Sequence, residues 1–112
     1  MALVLVDGEN VRRSAWPNVT RERLVELARL WAGAHGHDVV VVFDGSAPEE
    51  ADDVVGSGAE TADDWLARET QDLDGFWLVT SDRELRRRAG GRAERVIGGG
   101  AFLRELLSLS DR

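Results

Sequence analysis

The 112-residue chain has no cysteine, no tyrosine and no lysine. Without cysteine, neither a disulfide nor a thiolate-held zinc can brace the fold, which suits a reducing compartment and predicts a cytoplasmic protein. Without lysine, every mechanism that needs an ammonium group is excluded, including the Walker A phosphate loop and the phosphorylated receiver domain with its sheet-edge lysine. No apolar run approaches the roughly 20 residues that span a bilayer, so no membrane partner is expected. The N-terminus lacks the basic segment of a secretory signal, and residues 1–7 read better as a first strand.

The charge that is present is lopsided. Twenty-one acidic residues stand against fourteen basic ones, a formal net charge of −7, and every one of the fourteen is arginine. That balance opposes loose nucleic-acid binding over the whole surface. It leaves room for a local patch, and residues 83–95, RELRRRAGGRAER, carry six arginines. The length fits one domain over residues 1–112, and four Trp with three Phe give bulk to a small core.

The pattern that organises the chain occurs three times. Residues 3–10 read LVLVDGEN, residues 39–45 VVVVFDG and residues 76–82 FWLVTSD. Each is a short apolar run that ends within two residues of an aspartate, as a buried parallel strand does when it carries a carboxylate to a sheet edge. Parallel strands would gather Asp7, Asp44 and Asp82 at the carboxyl edge, where open α/β sheets bind ligands.

Between these strands the periodicity predicts helices. Thr20 is set to cap a helix through Leu24, Leu27, Ala28 and Trp31, which Gly33 and Gly36 end. Val54 and Val55 suit a short edge strand. ETADDWLARE reads as a helix with Ala62, Trp65 and Leu66 on one face. Ser81 and Glu84 have capping-box spacing for a helix that Gly90 and Gly91 break. Val96 and Ile97 make a brief last strand, Gly98–Gly100 a turn, and residues 101–109 a final amphipathic helix. Alternating strands and helices predict an α/β fold, a mostly parallel sheet covered on both faces.

Three carboxylates at one edge repel one another unless they are exposed or share a cation. Oxygen donors suit Mg²⁺ or Mn²⁺ better than zinc. The bland reading is that aspartate follows strands because it opens turns and caps helices. A fourth acid comes from residues 60–64, ETADD. Thr61 and Asp64 have capping-box spacing, which leaves Asp63 as the preferred site residue and Glu60 as an outside candidate; all three acids could also simply decorate a helix start. Asn10 and Glu9 follow the first strand, where each could serve the site or the turn. These groups suit metal-assisted phosphodiester hydrolysis by water. Arg12, Arg13, Arg83, Arg86 and Arg87 stand near the same edge and could hold substrate phosphates, or merely form a solvated face that balances the acids. Trp16 and Trp65 could stack on bases, although Trp65 has the spacing of a core residue. His35 and His37 fall at the opposite edge and read as surface loop residues.

The series VDGEN, VVFDG, ETADDWL and VTSD, followed by GGGAFLREL, resembles the NYN branch of the PIN-like nucleases, most closely the YacP-like proteins. The likeness runs in order over nearly the whole chain. It implies a three-layer α/β/α PIN-like domain and an Mg²⁺- or Mn²⁺-dependent endoribonuclease acting in RNA turnover, with mRNA on the ribosome as the associated target. The family's metal-binding acids fall on Asp7, Asp44, Asp63 and Asp82, and its polar residue after the first strand on Asn10. Glu9 departs from the bulky or aromatic residue common there. The chain is short for the group, which implies that a homodimer or a protein partner supplies part of the substrate grip.

Three rivals stand beside this reading. One is a non-catalytic RNA- or ribosome-binding module, which the intact acid set opposes. Another is the toxin of a toxin–antitoxin pair, which a neighbouring antitoxin gene would mark. The third is an α/β phosphatase, which usually needs a second aspartate two residues from its nucleophilic aspartate; neither Asp7 nor Asp44 has such a DxD partner.

Overall fold

The computed structural model describes residues 1–110, so the last two positions of the expected 1–112 domain lie outside the described residues. Five strands form one sheet: β1 (Leu3–Asp7), β2 (Asp38–Phe43), β3 (Val54–Gly56), β4 (Trp77–Val79) and β5 (Arg95–Ile97). They lie in the order β3-β2-β1-β4-β5, and every neighbouring pair is parallel. The chain leaves β1 towards one edge, returns to β1's other side at β4, and so makes a strand-order reversal at β1.

Side-chain alternation along β1 divides the core. Val4 and Val6 face one layer, with α1 (Gly8–Arg12), α2 (Arg21–His35) and α5 (Gly99–Ser110), where Leu24, Trp31, Phe102 and Leu106 are buried. Leu5 faces the other layer, with α3 (Ala62–Glu69) and α4 (Arg83–Ala89), where Leu66, Phe76, Leu78 and Leu85 pack. Burial of both sheet faces explains the unbroken apolar character of the strands. This is the expected three-layer α/β/α, PIN-like arrangement.

Thr20 and Thr61 cap α2 and α3 through their hydroxyls, as their spacing predicts. Trp65 is partly buried and packs against the α3–α4 layer.

Other elements differ from the sequence reading. Helix α1 begins at Gly8, directly behind β1, where a turn is expected. A side chain at Gly8 would meet the Phe43 ring at 2.7 Å, so only glycine admits so abrupt a start. Helix α5 begins at Gly99, two residues earlier than expected. Helix α4 is capped by Asp82 rather than Ser81: Asp82 Oδ1 accepts the Leu85 N–H at 2.9 Å. Ser81 is committed elsewhere. Its N–H donates to Asn10 Oδ1 at 2.9 Å, and its Oγ accepts the Gly99 N–H at 2.8 Å.

The histidines do lie at the opposite edge, but not as free loop residues. His35 is the last residue of α2, with its ring 5.1 Å from Trp31. His37 is half-buried, accepts the Ala2 N–H through Nδ1 at 3.0 Å, and packs 4.6 Å from Trp77. Among the described residues no helix is long and apolar enough to cross a membrane.

Candidate active site

Asp7 ends β1 and is only 5% exposed. Val6 pairs with Val79, so one step further along both strands Thr80 comes level with Asp7. The Thr80 hydroxyl donates to Asp7 Oδ2 at 2.9 Å and accepts the Asp82 N–H at 3.1 Å. Asp44 follows the last residue of β2 and accepts the Ala62 N–H through Oδ1 at 2.7 Å, which ties it to the first turn of α3. Asp63 is the next residue of that helix, and its carboxylate makes no hydrogen bond among the described residues. Asp82 stands at the start of α4.

These four acids line one open cleft of about 530 Å³, together with Glu9, Asn10, Arg13, Ser14, Ser81 and Gly100. Three of the carboxylates keep one oxygen on a protein donor, while Asp63 turns neither to one. Burial pushes Asp7 up to about 6, the nearby Asp63 and Asp44 charges add to the rise, and the bonds from Thr80 and the Asn10 backbone oppose it. Asp63 is also raised, by burial first and then by Asp82 and Asp44, against the opposing charge of Arg88. The acids therefore sense one another's charge across the cleft.

The remaining candidates divide clearly. Asp64 pairs with Arg88 at 2.9 Å, and its N–H bonds to the Thr61 hydroxyl. Glu60 pairs with Arg68 at 2.6 Å. Neither lines the cleft. Glu9 lines it, but three guanidinium groups meet its carboxylate: Arg12 at 2.7 Å, Arg13 at 3.3 Å and Arg21 at 2.6 Å. Burial alone would raise Glu9, and the bonds from Arg21 and Arg12 hold it below its ordinary value. Arg21 continues to the backbone oxygen of Ser46 at 3.2 Å and lies over the Phe43 ring, so this cage braces the loop after β2.

Asn10 spends its carbonyl oxygen on Ser81, and its NH₂ makes no hydrogen bond among the described residues. Gly99 packs so tightly on Asn10 Oδ1 that a side chain there would collide with it. Of the five arginines read as phosphate contacts, Arg13 lines the cleft with its side chain 64% exposed. Arg12 also donates to the Val19 carbonyl, Arg86 to the Thr80 carbonyl, and Arg87 pairs with Glu84. Arg83 is exposed beside Asp82 and makes no hydrogen bond or ion pair among the described residues. Thr80 and Arg21 are given no role in the sequence reading, and Ser81 is read there only as a helix cap. A hydroxyl at the end of an otherwise apolar strand was the available signal for Thr80.

The donor set is all oxygen, and a carboxylate raised first by burial and then by neighbouring like charges is one that a hard cation would relieve. Among the described residues, however, no three carboxylate or imidazole groups stand close enough to form a finished metal cage. The cleft fits a divalent ion by chemistry and charge, with Asp44 and Asp63 on its α3 side and Asp7 and Asp82 on its β1–β4 side.

Parallel order, two covered faces and an acidic crevice at the strand reversal make the chain a PIN-like α/β/α domain. Its likeness to the YacP-like proteins, read from four short motifs, holds through the whole fold. Rae1 (YacP) from Bacillus subtilis, carrying a tryptophan-to-leucine substitution, matches with a TM-score of 0.80 and 25% identity over 100% of this chain and 79% of that one. A second structure of Rae1 (YacP) from the same organism gives 0.73 and 23% over 100% and 77%. No family model matches the chain, and no curated protein does.

Proposed function

We propose that this domain is an endoribonuclease that hydrolyses RNA phosphodiester bonds with the help of Mg²⁺ or Mn²⁺. The observation that carries the proposal is the meeting of Asp7, Asp44, Asp63 and Asp82, from four separate elements, in one cleft where Asp7 is driven up to about 6. The resemblance to the YacP-like group supports RNA, and mRNA on the ribosome in particular, as the substrate.

Asp7, Asp44, Asp63 and Asp82 would hold the ion, which would polarise the phosphoryl group and lower the pKa of the attacking water. The chain's own work is placement and charge. Thr80 would fix Asp7 and favour its ionised form. Asp44 and Asp82 are oriented by backbone N–H groups of the helices they adjoin. The Asn10 NH₂ is left to meet substrate oxygen, and Arg13, which lines the cleft, and Arg83, next to Asp82 in the chain, would contact flanking phosphates.

The test is cleavage of labelled single-stranded and structured RNAs with Mn²⁺, Mg²⁺ or EDTA. The expected result is metal-dependent cutting that Asp7→Asn and Asp82→Asn each abolish while the fold is retained. Cutting that survives both substitutions would overturn the site, and no cutting together with no Mn²⁺ binding would overturn the enzyme.

A further inference from the structure

Trp16 is 89% exposed, by far the most exposed of the large hydrophobic residues outside the N-terminal methionine. It stacks on no other ring and meets no arginine among the described residues. It lies two residues beyond Ser14 and three beyond Arg13, both of which line the acidic cleft. Two residues of chain reach about 7 Å at most, so the backbone of Trp16 lies within that distance of the cleft-lining Ser14.

The loop that carries it is pinned at both ends. On the near side the Ser14 hydroxyl donates to the Asn10 carbonyl at 2.7 Å, and its N–H to Val11 at 3.1 Å. On the far side the Val19 N–H reaches the Arg12 carbonyl at 3.1 Å, and Val19 packs against the core. Ala15, Trp16, Pro17 and Asn18 are all exposed between these anchors. A tethered loop thus presents an aromatic face to solvent within two or three residues of Ser14 and Arg13 in the cleft wall.

We infer that Trp16 is a specificity-determining residue: it stacks under an unpaired base of the RNA next to the phosphate held at Arg13, and so restricts the substrate to single strands. In a duplex both faces of a base are covered by its neighbours, whereas an unpaired base has a face to lay on the indole. This rests on the proposed endoribonuclease reading for the nature of the ligand, and it adds the strandedness of the substrate.

The experiment uses the full chain in an Asp82→Asn background with Mg²⁺, so that RNA stays whole. An end-labelled single-stranded dodecamer and the same sequence as a blunt duplex are titrated by anisotropy, with Trp fluorescence read in parallel. The expected result is that the single strand binds more tightly than the duplex and quenches Trp fluorescence. Trp16→Ala should then lose the quenching and weaken single-strand binding about tenfold, and Trp16→Phe should restore most of it. Unchanged single-strand binding by Trp16→Ala overturns the inference. So does a Trp16→Ala variant that only converts a dimer to a monomer in sedimentation, which would assign the indole to a second copy of the chain. Separately, Trp16-dependent binding by a protein that cuts no RNA would leave the platform standing and sink the nuclease.

Discussion

Thr80 and Asp7, 73 positions apart in the chain, meet through a buried hydrogen bond of 2.9 Å between neighbouring strands. The same hydroxyl oxygen receives the Asp82 N–H, so one small side chain joins two of the four acids. A hydrogen bond to a carboxylate favours its charged form, and here it opposes the rise that burial imposes on Asp7.

Thr80→Val removes that bond while keeping the shape. Asp7 should then titrate still higher, by about one unit for a charge-assisted bond of roughly 1.5 kcal/mol. In the metal-free protein the Asp7 titration, followed by carboxyl NMR, is expected to move up by that amount. An unmoved titration would show that the Thr80 hydroxyl does not act on Asp7.

Asp7 itself should weaken the metal-free fold. Its folded pKa of about 6 lies above the ordinary 3.8, so the native state binds the proton more tightly than the unfolded chain. Its contribution is therefore favourable at low pH and is lost as pH rises from about 4 to 6, at a cost of roughly 2–3 kcal/mol. Asp7→Asn should raise Tm at neutral pH without divalent ions, and the gain should vanish near pH 4. Thermal melts across that range check both halves of the statement.

Glu9 has the opposite sign. Its carboxylate is held below its ordinary value, so its contribution is present above about pH 4.5 and is lost as pH falls through the depressed folded value. Glu9→Gln leaves Arg12, Arg13 and Arg21 crowded without their anion and should cost about 1–3 kcal/mol at neutral pH. Chemical denaturation measures it; no loss would mean that the three arginines find other partners.

Asp82 carries two duties that substitution can separate. Asparagine caps a helix about as well as aspartate, whereas alanine forfeits about 1 kcal/mol. Asp82→Asn should lose activity at nearly full stability, and Asp82→Ala should lose both. Paired activity and denaturation measurements distinguish them.

The strands, the layers and the gathering of the four acids at one edge were legible because they rest on local signals: apolar runs ending in Asp, i,i+3,i+4 periodicity and threonine caps. Val54 and Val55 were readable as an edge strand for the same reason. What escaped depends on partners distant in sequence. Ser81 has perfect capping-box spacing, but Asn10 and Gly99 claim its polar groups, so the cap passes to Asp82. Glu9 reads as a potential ligand until Arg21 arrives from another helix. Gly8 reads as a turn until the Phe43 ring explains why a helix begins there. Thr80 carries no motif of its own, and its role exists only in the register of β4 against β1.

The strand order also sets when the cleft can exist during synthesis. Asp7 is made 73 residues before its hydroxyl partner, and the fourth acid follows at position 82, just beyond a strand that must slot in beside β1. A ribosome releasing this stretch in order exposes Asp7 and Asp44 well before the wall that completes their cleft. Half-made chains therefore carry the first carboxylates as separate, unassembled groups. Any chemistry that needs all four acids therefore waits until residue 82 has been made and β4 has joined β1.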